Sequence, residues 1–265
     1  MVRVRKRRRA PVDLLAFAHV AQRVRDCLIS HAEPPVPEAL SGHTADGSPT
    51  ARAHIAIVPL ANVGWEHATG DLLGFGVVLP RELARDGPRG QERTRITKAL
   101  AAFASLDTEE AMRRAVIKLG AAGVWSVTHT VAPSRVSLRP DRWCGTSDTW
   151  ASATPVLLDR FPDHGDAGEE ARLVAAACGN IGLPEPVTIE LHKHSAVRGA
   201  PSAYPARSDR RRPDWSFPPG AKFAKRPRRH VVLRFAARVG GPVILGAGRF
   251  RGFGLCLPID REARQ

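Results

Sequence analysis

From residue 154 onward, short apolar runs alternate with a single helical repeat, and few folds accommodate that order. "TPVLLDRF", "PVTIELHKH", "HVVLRFA" and "FGLCLPI" read as strands. Between the first two lies "GEEARLVAAACGNIG", a helix closed by Gly179-Asn180, and "RVGGPVILGA" predicts a short turn or helix before the last strand. The order is β-α-β-β-(α)-β, the split βαβ pattern of a ferredoxin-like fold.

The first half is less regular. Leu14, Phe17, Ala21, Val24 and Leu28 recur at helical spacing behind a candidate N-cap, Asp13. "HIAIVPL" and "LLGFGVVLP" read as strands joined by "ANVGWEHATGD". "ERTRITKALAAFASL" and "TEEAMRRAVIKLG" predict two short helices, with the strand "VWSVTHTV" after them. This half also closes on a Gly-rich link and a strand ending in Leu-Pro, so it is read as a diverged copy of the second half. The expected class is α+β, with two ferredoxin-like folds in tandem. The boundaries fall at 1–11 for a disordered basic tail, 12–140 for the first fold and 141–265 for the second.

The formal net charge of +14 is concentrated. "MVRVRKRRR" carries six basic groups and no acid, and residues 198–230 carry ten against Asp209 and Asp214. These two segments account for the whole excess, so the rest of the chain is formally neutral. A neutral body with two basic segments points to a polyanion partner. Cys27, Cys144, Cys178 and Cys256 lie far apart with no C-x-x-C spacing. They suggest neither a zinc site nor a disulfide framework, and fit a reducing cytosol. No apolar run approaches the length of a membrane span.

"GAGRFRGFG", residues 246–254, places four glycines around Arg249 and Arg251. It is not the dinucleotide fingerprint, because the third glycine position falls on Arg251 and a strand follows instead of a helix. It is not a phosphate loop of the nucleotide triphosphatases either, since no Gly-Lys-Ser/Thr follows. What remains is an open backbone carrying two forked phosphate donors.

"LSGHTADGSP", "HIAIVPL…HATGDLLGFGVVLPR", "TWASATPVLLDRF" and "GPVILGAGRFRGFGLCLPI", taken together and in this order, resemble the CRISPR-associated fusion protein of type I-G (formerly I-U) systems. That protein joins a crRNA 5′-handle-binding half to a repeat-RNA endoribonuclease half. The resemblance covers about residues 12–260 and implies that this chain corresponds to the C-terminal, endoribonuclease half. It implies a pair of RRM-like folds, metal-independent cleavage of CRISPR repeat RNA, no cofactor, and other effector-complex subunits as partners. In the resemblance Gly246, Gly248, Gly252 and Gly254 with Arg249 and Arg251 match an RNA-binding loop.

Such cleavage needs the 2′-hydroxyl to attack the adjacent phosphate, a base to take its proton, an acid for the leaving 5′ oxygen, and cations for the phosphorane. Histidine suits the acid and base near neutral pH. His67, in a link between strands beside Glu66, is the first candidate, and His43, in a glycine-flanked loop beside Asp46, is the second. His54 is the third, although it could simply cap or pack at the start of a strand. His192 and His194 share one face of a strand and are candidates for RNA contact or catalysis. Without a third ligand at a familiar spacing, they make no zinc site. The basic insertion 198–229 is expected to fold on RNA through Arg210, Arg211, Arg212, Lys222, Lys225, Arg226, Arg228 and Arg229. Tyr204 and Trp215 are its candidate base contacts. A non-catalytic crRNA-binding subunit predicts the same charge pattern without needing the histidines.

Overall fold

The computed structural model describes residues 13–84, 87–104, 114–119, 123–128, 133–163, 168–205 and 214–259. The basic tail, and Arg210, Arg211 and Arg212, lie outside them. The fold is mixed α+β with antiparallel sheets.

The chain enters through a 3-10 turn, Leu14–Ala16, whose start is capped by Asp13 Oδ1 accepting from Leu15 N at 3.0 Å. Helix α1 (Phe17–Ser30) follows, and Leu14, Phe17, Ala21, Val24 and Leu28 are all buried, as their spacing predicts. The short α2 (Glu38–Ser41) ends on Gly42, and β1 (Ala56–Ala61) then pairs antiparallel with β2 (Leu72–Val78). Pro59 sits in β1 without breaking a larger ladder, because this sheet has only two strands.

Helix α3 (Gly90–Ala104) is followed by a second hairpin, β3 (Arg114–Lys118) with β4 (Val124–Thr128). The helix expected over "TEEAMRRAVIKLG" is therefore corrected, since its described part is a strand. Val116 is 49% exposed while Ile117 is fully buried, the period-two alternation of a half-buried strand. These β-branched residues also favour extended backbone.

After α4 (Pro140–Cys144) comes β5 (Thr146–Ser152), an interior strand of a five-stranded sheet. Then follow β6 (Val156–Leu157), α5 (Glu169–Gly179), β7 (Thr188–His192), the long β8 (Arg228–Gly240) and β9 (Cys256–Pro258). Strand β8 pairs antiparallel with β5, β6 and β7, and β9 closes the far edge of β5. No helix forms over 241–255 beyond a 3-10 turn at Arg249–Arg251.

The sheet's alternation sorts its side chains onto two faces. Trp150, Val231, Leu233 and Phe235 pack with Val174, Ala177 and Cys178 of α5. Ala151, Val232 and Leu257 face the larger core, which includes Phe17, Val24, Ile57, Trp215 and Phe253. The first half of the chain thus shares a core with the opposite face of this sheet.

Much of the insertion is built into that core. Trp215 is only 5% exposed and its indole N–H donates to Ser202 O at 2.8 Å. Phe217 stacks on Phe253 with ring centroids 5.2 Å apart. The Tyr204 hydroxyl accepts from Arg228 N at 2.8 Å, and the Arg228 guanidinium lies 4.6 Å over its ring. Trp215 is therefore an internal anchor, correcting its reading as a base contact, because its ring packs against Phe253 in the core; Tyr204 is half-buried and holds Arg228.

Candidate functional site

The glycine stretch is a compact turn wedged between α1 and β1. Residues Arg249–Arg251 form the 3-10 turn, so the two arginines do not alternate around Phe250 as in an extended loop. The glycines face protein. A Cβ at Gly248 would lie 2.6 Å from Leu157 Cδ1, and one at Gly252 would enter the ring of Phe17. The bareness of Gly248 and Gly252 thus serves packing, where the sequence suggests an open backbone.

What the turn presents is a group of cations around one imidazole. His54 stacks on Phe250 with centroids 3.6 Å apart, and the Arg249 guanidinium lies 4.5 Å over the same phenyl ring. Arg251 donates to Gln22 Oε1, and Gln22 in turn donates to Asp26 at 2.6 Å. Arg25, almost fully buried on α1, donates to the carbonyls of Leu40 (3.0 Å), Ile55 (2.9 Å) and Phe250 (3.4 Å). Its Nε has no partner among the described residues. Asp26 and Asp159 are the carboxylates whose charge reaches these arginines. Neither makes an ion pair with Arg25, Arg249 or Arg251 among the described residues.

Burial, then repulsion from Arg251, lowers Arg25 to about 10, and desolvation also lowers Arg249 and Arg251. His54 is pushed down to about 4, first by burial and next by Arg25. It is therefore neutral at physiological pH. Its Nδ1–H donates to Arg52 O at 3.3 Å, which leaves the lone pair on Nε2, the form a general base requires. Three half-buried or buried guanidiniums without a carboxylate partner make a place for an anion.

Other candidates sit elsewhere. His43 is exposed, its Nδ1 donating to Ser41 O at 3.2 Å, next to Gly42, whose Cα faces the His54 ring. His67 is exposed and meets the indole of Trp65 edge-on, with centroids 5.3 Å apart. His192 pairs with Glu190 at 3.3 Å, and His194 is exposed beyond the end of β7. Arg228 is clamped to Asp214 by two 3.1 Å bonds, and Arg229 to Glu170 by bonds of 2.8 and 2.7 Å. Lys222 and Lys225 are exposed, and Arg226 lies 5.6 Å over the ring of Phe161.

Two residues escaped the sequence reading. Arg25 falls on the apolar stripe of α1, four after Ala21 and three before Leu28, a phase that marks a cation turned inward. His230, opposite His192 in the ladder, is buried with its Nε2–H donating to Pro201 O at 2.9 Å and Nδ1 accepting from Ser152 Oγ at 2.9 Å. Nothing in sequence spacing distinguishes it.

A family model described as CRISPR-associated protein, GSU0054 family, matches residues 2–258. The chain belongs to this family. Membership gives the cationic cluster a context, a CRISPR-associated role. No curated protein matches the chain. Among the described residues no helix is long and apolar enough to cross a membrane, and no group of three His, Cys, Asp or Glu could hold a metal.

Proposed function

We propose that the chain binds CRISPR repeat RNA and cuts it with its own side chains, as the endoribonuclease half of a type I-G effector system. The observation that carries this reading is the neutral His54 imidazole set among Arg25, Arg249 and Arg251. His54 Nε2 takes the proton of a ribose 2′-hydroxyl, and the 2′ oxygen bonds to the adjacent phosphorus. The P–O5′ bond breaks, leaving a 2′,3′-cyclic phosphate and a 5′ hydroxyl. Arg249 and Arg251 stabilise the phosphorane charge. His43 is the candidate acid for the leaving oxygen. His54 thus moves ahead of His67 and His43 as the base, because it alone of the three stands among the arginines of the glycine turn.

The spatial order β9-β5-β8-β7, with α5 crossing between β5 and β7, supports a ferredoxin-like second half whose last helix is replaced by the 241–255 turn. The two separate hairpins of the first half fit a strongly diverged copy. A crRNA-holding subunit is the second reading, favoured by the stacking of His54 on Phe250, a packing role that needs no chemistry. Incubating the protein with end-labelled repeat RNA in EDTA separates the two. A discrete product ending in a cyclic phosphate supports cleavage, and tight binding without a product supports holding.

A further inference from the structure

Among the described residues, the loop between β1 and β2 holds the most exposed large aromatic ring of the first half. Trp65 is 47% exposed, whereas Trp143, Trp150 and Trp215 are buried. Its loop is nevertheless tightly built. The indole N–H donates to Asn62 Oδ1 at 2.5 Å, and Asn62 Nδ2 donates to Thr69 Oγ1 at 3.0 Å, which donates to Asp71 at 2.8 Å. Gly70 N donates to Asn62 O at 2.9 Å and Ala68 N to Trp65 O at 3.2 Å. From the second half, Gly64 N donates to Arg198 O at 2.8 Å, and Arg142 Nη2 donates to the carbonyls of Val63 (3.1 Å) and Gly64 (2.9 Å). His67 stands perpendicular to the indole and braces it.

A large apolar ring costs free energy in water, and a loop this well bonded cannot fold it away. The second half brings two cations to this loop, the half-buried Arg142 and the exposed Arg198, beside the loop's own exposed Glu66 and Asp71; a ring among charged groups suits a partner that is both aromatic and polar rather than an apolar protein face. Exposed, pre-ordered aromatics beside cations are how proteins stack unpaired bases. We infer that Trp65 is a stacking platform for an unpaired nucleobase of single-stranded RNA, held by the 62–71 loop and separate from the His54 site. This rests on the RNA-binding reading, and it assigns His67 to positioning the ring.

Binding of two short single-stranded RNAs to the full chain tests it. Both carry 2′-O-methyl groups so that neither can be cut, and they have equal phosphate counts, but one has bases and the other is abasic. The wild type should prefer the base-bearing strand by about tenfold, the scale of one stacked base. Trp65→Ala should bind both at the abasic level, and Trp65→Phe should recover part of the preference. A Trp65→Ala protein that keeps the preference, or a wild type that binds both strands equally, overturns the platform alone. A wild type that binds neither overturns the RNA-binding reading with it. Self-association that Trp65→Ala abolishes, with the strand preference intact, makes the ring a protein contact instead and likewise overturns the platform.

Discussion

Gly252→Ala tests whether the glycine turn is bare for packing or for a ligand. Gly252 has φ +83°, and an added Cβ would enter the Phe17 ring and stand 2.9 Å from Pro59 Cδ. Gly47 provides the control. Its φ is also +83°, it sits in the turn where Gly47 N donates to Thr44 O, and nothing lies within 4 Å of its added Cβ. Left-handed backbone in a non-glycine residue costs about 1 kcal/mol or somewhat more at either site. The entropy lost from the unfolded chain is common to both. Only Gly252→Ala adds overpacking between α1, β1 and the turn, about 1–3 kcal/mol. For a chain of this size about 2–4 °C of melting temperature corresponds to each kcal/mol. Gly252→Ala should therefore lower Tm by about 2–12 °C more than Gly47→Ala does. Thermal scans of the two variants and wild type, without RNA, read the difference. Equal losses would refute the claim that this glycine lets the turn close on Phe17.

Other expectations follow from the charged groups. Burial pushes His230 down to about 4 from an ordinary 6.5, so the unfolded chain takes up its proton first on acidification. Its contribution is complete above pH 6.5 and is lost as pH falls toward 4, up to about 3 kcal/mol; urea titrations should show His230→Phe flattening that dependence. The half-buried His54 acts in the same window with a smaller share. Arg228→Ala breaks the Asp214 clamp and uncovers Tyr204, so it should cost about 1–3 kcal/mol in urea unfolding while the salt slope of RNA binding stays unchanged. Neutralising Lys222, Lys225 and Arg226 together should do the opposite, flattening the log affinity–log salt slope by about 0.7 for each phosphate they no longer neutralise.

Periodicity carried the fold where one face of an element is apolar throughout. Helix α1 was legible because all five spaced apolar residues are buried, and α5, β8 and β9 for the same reason, while β7 shows its alternation through the partly buried Ile189 and Leu191. Strand β5 was not, because "TSDT" reads as a loop. Its buried polar groups are satisfied in three dimensions, Ser147 Oγ accepting from Thr149 N and Ser152 Oγ from Val231 N. Strand β3 was misread because helical spacing and β-branched content conflicted over "RAVIK", and pairing with β4 decided it. Charge runs located the basic insertion but could not show that Arg228 and Arg229 face carboxylates fourteen and fifty-nine residues away. The candidate site was legible in its parts. The glycine stretch and His54 are both visible in sequence, but their stacking across nearly two hundred residues, and Arg25 beneath them, depend on how α1 seats against the turn.

Single-turnover cleavage of saturating, pre-bound repeat RNA by His54→Ala, with affinity measured alongside, tests the central claim most directly. Loss of the general base should slow cutting by about a hundredfold or more, while affinity, carried by the arginines, changes little. A His54→Ala protein that binds and cuts like the wild type would contradict the account.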